Sequence, residues 1–334
     1  MHKILSIPSP RVIPHLTIPN KLSISWDKLV TVTRSDRGDD GVYFVVGADG
    51  HVVLKATETP GPEIFLTLLK ERLGFSGPKT RYVTQDSAEG KKIRTYLNPF
   101  VEASNADLVR QKIKNPADTE IQERKFLDLN HITVFSLMEF VHGRSLADTV
   151  QHHFETWFGV PPEINKNGEA MFKKLGELLI FDILIRNNDR FWLGNLPGFN
   201  EHTLGNLGNL MFYEESGALC VIDSTSNYLE DSDEYAAQVQ LLLEDLSQKT
   251  SNCDLVKRGR FFIEESEYKA PEAANKFIFE GLRTGIDAIR SLDNHEIDRI
   301  MRETVEHTPT ETLSAKKLRD LICTVLQIIK TKAL

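Results

Sequence analysis

Ile185-Arg-Asn-Asn-Asp-Arg190 closes a long apolar segment, and two short apolar runs follow it, Gly208-Asn-Leu-Met-Phe-Tyr213 and Leu219-Cys-Val-Ile-Asp-Ser224. The first piece is a polar turn carrying Asp189. In the second, Asn209 opens an apolar strand; in the third, Asp223 closes another. A turn at Ser216-Gly217 makes the two strands a hairpin, whose open end brings Asn209 and Asp223 together. Phosphoryl transfer needs this order of groups. One carboxylate orients or deprotonates the attacking hydroxyl, while an Asn and a second Asp hold magnesium against nucleotide phosphates. These residues predict an ATP-dependent kinase.

Immediately upstream, Ala170 to Arg186 carries Phe172, Leu175, Leu178, Leu179, Ile183 and Leu184 at helical spacing, a buried helix delivering the chain to Asp189. Downstream, helices are expected over 233–247, 271–291, 294–305 and 313–332. The last has Leu318, Leu321, Ile322, Val325 and Ile329 on one face. The chain before residue 140 reads differently. Leu29 to Thr33, Val42 to Val46 and Val52 to Lys55 are β-branched or apolar runs separated by turn residues, and Ile132 to Val141 is a further strand. Glu63 to Leu73 has helical spacing with Ile64, Leu66 and Leu68 inward and Gly74 as a stop. Residues 103–125 are polar, a helix or an insertion. The expectation is an α+β chain of two lobes, a β-rich N-lobe over 1–140 and a helical C-lobe over 141–334.

Several residues of the first part fit a nucleotide site. The loop Arg34-Ser-Asp-Arg-Gly-Asp-Asp-Gly41 joins two strands, and Ser35, Gly38 and Gly41 would let backbone N–H groups approach phosphates. By itself it reads equally as an ordinary hairpin turn, since it is not Gly-x-Gly-x-x-Gly and has three aspartates. Lys55 ends an apolar strand in the register of a lysine that holds α- and β-phosphates. Glu63 is its candidate acidic partner and Glu71 the alternative. In Leu137-Met-Glu-Phe-Val-His-Gly143, the Glu139 carbonyl and Val141 N–H would pair with adenine while Met138 walls the pocket. Read alone, the segment is a core strand running into a turn. Asn206 and Asn195 rival Asn209 as metal ligand. His142, His152, His153 and His202 lack ligand-like spacing with acids.

Composition narrows the classes. With 40% hydrophobic and 26% charged residues, the 334-residue chain is an ordinary globular protein with room for a sizeable core. A net charge of −8 offers neither a nucleic-acid surface nor a basic membrane patch. No apolar run reaches the roughly 18–20 residues of a membrane span, and the N-terminal residues lack a signal peptide's apolar stretch. Cys220, Cys253 and Cys323 are three widely spaced cysteines without a Cys-x-x-Cys pair, read as reduced, buried thiols. A cytoplasmic location is expected.

Asn-Asp-Arg, then Asn-Leu-Met, a hairpin and Val-Ile-Asp resemble the catalytic region of phosphoinositide kinases and their relatives, and Met-Glu-Phe-Val-His-Gly resembles a protein-kinase hinge. The combination, with an insertion from Phe191 to Gly208, is similar to the actin-fragmin kinase family. That resemblance implies a protein-kinase-like fold, ATP with Mg²⁺ or Mn²⁺, and serine/threonine kinase activity on a threonine of actin in the actin-fragmin complex. It implies a monomeric catalytic domain of a longer, kelch-containing, cytoskeleton-associated chain, with no nucleic-acid or membrane partner. By the same resemblance, Asp189 is the catalytic base, Asn209 and Asp223 are metal ligands, and Lys55 is the phosphate contact. The chain departs from protein kinases in lacking His-Arg-Asp and Ala-Pro-Glu, and in having Ser224-Thr225 where Phe-Gly would follow the Asp.

Overall fold

The computed structural model describes residues 22–35, 41–123, 125–141, 143–149, 151–187, 189–191, 206–213, 218–222, 224, 226, 228, 232–264 and 268–332. Gly38, His142, Asn195, His202, the Ser216-Gly217 turn and Asp223 therefore lie outside the described residues. By its contacts the chain divides into two units, Met1–Pro60 with Pro78–Phe140, and Gly61–Gly77 with Val141–Leu334.

In the first unit, β1 (Leu29–Arg34), β2 (Gly41–Gly47), β3 (His51–Ala56), β4 (Thr80–Thr84) and β5 (Val134–Met138) are described. They form an antiparallel sheet of five described strands in the order β1-β2-β3-β5-β4. Alternation sets its two faces. Tyr43, Val45, Val52, Leu54, Ala56, Phe135 and Leu137 belong to one buried cluster, which also takes Ile93, Leu97 and Val101 from helix α2 (Ala88–Lys114). The α2 N-terminus is capped by Ser87, whose side chain accepts the Gly90 N–H at 3.0 Å. The opposite face of the sheet carries Val53, Lys55, Ser136 and Met138. A short helix, α3 (Thr119–Glu123), follows α2.

The helix α1 (Pro60–Arg72) was expected with the first 140 residues, but from Gly61 onward it groups with the second unit. The physical reason is its apolar face: Phe65, Leu66 and Leu69 are buried in that unit's core. Polar ties reinforce it. The Gly61 N–H donates to Glu311 Oε2 at 2.9 Å, Lys70 Nζ donates to the Val221 carbonyl at 3.1 Å, and Arg72 pairs with Glu296.

The rest of the second unit comprises β6 (Arg144–Ser145), α4 (Gln151–Phe158), α5 (Lys166–Ile185), β7 (Leu210–Phe212), β8 (Leu219–Val221), α6 (Ser232–Lys249), α7 (Asp254–Glu264), α8 (Ala274–Arg290), α9 (Asn294–His307) and α10 (Thr312–Thr331). The three short strands form a second antiparallel sheet, β6-β7-β8, with Leu210 opposite Val221 and Met211 opposite Cys220. This is the hairpin expected from the sequence. The mixed α+β plan also matches expectation: strands dominate early and helices late. The three cysteines are free, but Cys323 is only partly buried.

Helix α5 is the axis of this unit, buried from Leu178 through Ile185. It crosses α8 with backbones almost touching. A Cβ on Gly281 would lie 1.9 Å from the Lys173 carbonyl oxygen, and one on Gly176 would lie 2.1 Å from that of Ile278. At an open helical position Gly→Ala stabilises by about 1 kcal/mol. Here the obstacle is backbone, so overpacking outweighs that gain. Gly281→Ala is expected to destabilise the protein by about 1–3 kcal/mol, read as a lowered denaturant midpoint. An unchanged midpoint would contradict this crossing.

Candidate functional site

Helix α5 ends at Arg186, whose backbone is left-handed (φ 51°), and the Asn187 N–H returns to the Asp182 carbonyl at 2.8 Å. The left-handed conformation costs a non-glycine residue about 1–2 kcal/mol, and the Arg186 guanidinium lying 4.6 Å from the Tyr235 ring centroid helps offset it. The Tyr235 hydroxyl itself donates to the Ile183 carbonyl at 2.6 Å.

From this cap the chain enters the turn carrying Asp189, which is exposed, beside Arg190, which is wholly buried. Arg190 Nη1 meets Asp182 Oδ1 at 2.7 Å, and both side chains are 0% exposed. Its Nη2 donates to Ser224 Oγ at 2.9 Å. The Asn187 amide adds a second donor to Asp182 Oδ1 at 3.1 Å, while Asn187 Oδ1 accepts the Asp189 N–H at 3.0 Å. Burial pushes the Asp182 carboxyl up to about 7, with the Arg190 guanidinium and the Asn187 amide pulling against it. Asp182 escaped the sequence reading, although the signal was present: one Asp inside Leu178-Leu-Ile-Phe-Asp-Ile-Leu-Ile185 must be buried and must find a cation.

The Asn206 N–H donates to the carbonyls of Asp189 (3.0 Å) and Arg190 (3.1 Å), and its side chain accepts the Gly208 N–H. Asn206 thus closes the loop, with its amide nitrogen at 3.4 Å from Asp189 Oδ2. Asn209, largely buried, hydrogen-bonds Asp189 Oδ2 directly through Nδ2. The Asn209 carbonyl accepts the Ile222 N–H at 3.3 Å. The neighbours of position 223 are therefore tied to Asn209 on one side and to Arg190 on the other. With its amide nitrogen turned to Asp189, Asn209 has its oxygen for a hard cation, the donor type that suits magnesium. Among the described residues no group of three or more His, Cys, Asp or Glu side chains is placed to hold a metal.

In the first unit Lys55 is 7% exposed and lies opposite Ser136, with Met138 one step along the same sheet face opposite Val53. Lys55 and Met138 thus share one face. Gly41 sits on the other, where a Cβ would come within 2.8 Å of Leu127 Cδ2, so its missing side chain answers to core packing. The Ser35 N–H donates to the Val42 carbonyl at 2.8 Å. The Glu139 N–H donates to the Lys79 carbonyl at 2.9 Å, and Glu139 also faces the Lys79 ammonium at 3.6 Å. Val141, buried, begins the second unit's main stretch. Glu63 lies in the first turn of α1, partly buried, and Glu71 is exposed near its end.

Residues 12–286 match the family model "Actin-fragmin kinase, catalytic". A provisionally named actin-fragmin kinase of Dictyostelium discoideum is 22% identical over 209 residues, 60% of this chain. The match spans 43% of that relative, so the chain covers less than half its length. A crystal structure of a provisionally named aminoglycoside phosphotransferase from Ralstonia eutropha aligns over 92% of this chain and 94% of that one. Its identity is 12% and its TM-score 0.31, too low to bear on fold or function. The family that this match names is one of kinase catalytic domains. More narrowly, the chain belongs to the family of actin-fragmin kinase catalytic domains.

Removing Arg190 tests the buried pair. Asp182 has a folded value above its ordinary 3.8, so its contribution to stability is full below about pH 4 and is lost as pH rises through the folded value. Without the guanidinium that value climbs further. Arg190→Met should therefore cost about 3–5 kcal/mol at pH 8 and less at pH 5, measured by urea unfolding at both. An equal cost at the two pH values would dissociate Asp182 from Arg190.

Proposed function

We propose that this chain is a serine/threonine kinase that transfers the ATP γ-phosphoryl group to a threonine of actin in the actin-fragmin complex. One observation carries the reading: the exposed Asp189 carboxylate is hydrogen-bonded to Asn209 in a chain whose family match spans 12–286. Asp189 accepts the proton of the incoming hydroxyl, whose oxygen forms the new bond to phosphorus as the bond to the β,γ-bridging oxygen breaks and ADP leaves. Asn187 and Asn206 hold the Asp189 backbone, and Asn209 fixes one of its carboxylate oxygens, so the other is turned to the acceptor. Asn209 and Asp223 would hold Mg²⁺ or Mn²⁺, which when bound neutralises phosphate charge. Lys55, with Glu63 as its acidic partner, contacts the α- and β-phosphates. Gly38 and Gly41 supply backbone donors, the expected Ser35 N–H being already spent on the Val42 carbonyl, and Met138, Glu139 and Val141 receive adenine. The same reading makes the protein cytoplasmic, cytoskeleton-associated and monomeric, part of a longer chain, with no nucleic-acid or membrane partner.

Actin is itself acidic, and a chain of net charge −8 gains nothing from long-range attraction to it. Recognition on this proposal rests on shape, on local basic groups or on fragmin. The test is transfer of labelled phosphate from ATP and magnesium to actin-fragmin complex, free actin and phosphoinositide vesicles in parallel. Label is expected on a threonine of complexed actin, falling by about 10²–10⁴-fold in Asp189→Ala with the fold intact. Label in the lipid would make the chain a lipid kinase instead. ATP binding without transfer to any acceptor would make it a kinase-like binding module.

A further inference from the structure

Tyr235 is a buried phenol that the reaction scheme above does not use. It is 4% exposed near the start of α6, and its hydroxyl donates to the Ile183 carbonyl at 2.6 Å. That carbonyl also accepts the Arg186 N–H at 3.3 Å, so one oxygen receives both groups. The Tyr235 ring meets Arg186 a second time, its centroid 4.6 Å from the guanidinium carbon. Arg186 is itself buried. The phenol therefore holds the left-handed residue from two directions, through its side chain and through the carbonyl that its backbone uses. Burial pushes the Tyr235 hydroxyl up against the pull of the Arg186 guanidinium, so it stays protonated and remains a donor at any working pH.

A left-handed helix cap is most often glycine, because a Cβ is strained there. Arg186 occupies it at φ 51°, and strain of this kind persists only where the surroundings over-determine it. What depends on the cap lies directly downstream. The Asn187 N–H reaches the Asp182 carbonyl, and the Asn187 amide reaches the Asp182 carboxylate. Asn187 Oδ1 in turn accepts the Asp189 N–H. Each of these bonds needs the chain to turn at Arg186 as it does. Were the cap to relax, Asn187 would leave Asp182 and the Asp189 main chain would move with it.

We infer that Tyr235 is a positioning residue: it clamps the Arg186 cap and so sets where the turn presents the Asp189 carboxylate. The inference rests on the reading of Asp189 as the base for the incoming hydroxyl. Misplacing a reacting group by about 1 Å can cost about 100-fold in rate, and deleting one of the clamp's two holds is expected to cost about 10-fold. A merely structural tyrosine would lower the unfolding midpoint and leave the folded protein's turnover unmoved.

The experiment compares wild type, Tyr235→Phe, Asp189→Ala and the double variant, with thermal unfolding confirming that each is folded. Phosphate transfer from ATP and magnesium is measured on whichever acceptor the wild type labels among complexed actin, free actin and phosphoinositide vesicles. Amide hydrogen exchange follows the Asp189 N–H alongside. Tyr235→Phe keeps the ring beneath the guanidinium and deletes only the hydroxyl. Expected are a kcat about 10-fold lower with KM for ATP unchanged, and Asp189 amide exchange about 10-fold faster. In the Asp189→Ala background the same substitution should cost nothing further, because its effect runs through that carboxylate. Wild-type kcat or wild-type exchange in Tyr235→Phe overturns the inference alone, as does an equal kcat loss with and without Asp189. Should Tyr235→Phe not fold, Arg186→Lys decides, since it keeps the charge and removes the planar group from the ring. A kcat loss that vanishes in the Asp189→Ala background supports the inference, and wild-type kcat overturns it. If Asp189→Ala transfers phosphate as wild type does, or wild type labels no acceptor, the reading of Asp189 fails and the inference with it.

Discussion

A fully buried guanidinium must find acceptors for its N–H groups, and that constraint organises the second unit. Asp182 supplies one from the middle of an otherwise apolar helix, and Arg190 must come to it. Once Arg190 is seated, the turn before it has little freedom. Asn187 closes on Asp182, the Asp189 backbone closes on Asn187, and the exposed carboxylate of Asp189 is presented on the one side that remains. The same guanidinium reaches Ser224, so one interaction deep in the core sets both the proposed base and the segment following β8. Replacing such a pair by apolar groups would be neutral or better for stability alone. Its presence here accords with a role in specifying one loop geometry.

Much of this was legible in the sequence wherever periodicity was strong. The buried helix before Asp189, the late helices and the hairpin that carries Asn209 all announce themselves by apolar spacing, because each buries a broad face. Among the elements that escaped, α4 and α7 are short though they bury Phe154, Phe158, Leu255 and Phe262, while others bury little. Strand β4, Thr80-Arg-Tyr-Val-Thr84, has only Val83 well buried and shows no alternation. Helix α2 runs 27 residues, but its stripe is thin (Ile93, Leu97, Val101 and Leu108) and Pro99 interrupts the pattern. Proline is costly inside a helix, so a single-sequence reading breaks there.

The candidate site was legible in kind more than in connection. Residue types suggested Asp189 and Asn209, while the direct bond between them depends on how Asn206 closes the loop. The grouping of α1 with the second unit could not be read at all. Nothing in Pro60 to Arg72 names the surface that its Phe65 and Leu69 will meet, since the core they join is assembled mostly from residues beyond position 145. Lys70 shows the same limit. It carries a charge on an apolar face, and the sequence does not say which carbonyl receives it.

The two ties on α1 from Glu296 and Glu311 have a bearing on where this domain ends. The family match stops at residue 286, yet α9 and α10 lie beyond it. Glu296 belongs to a capping box with Asp293 and uses its other oxygen for Arg72. Leu318, Leu321, Ile322, Val325 and Ile329 of α10 are part of the same core as α5. A chain trimmed to the matched span would lose both holds on α1 and leave the apolar surface beneath α10 open to water. The core and the ties that hold α1 as described therefore extend past the span that the family model matches.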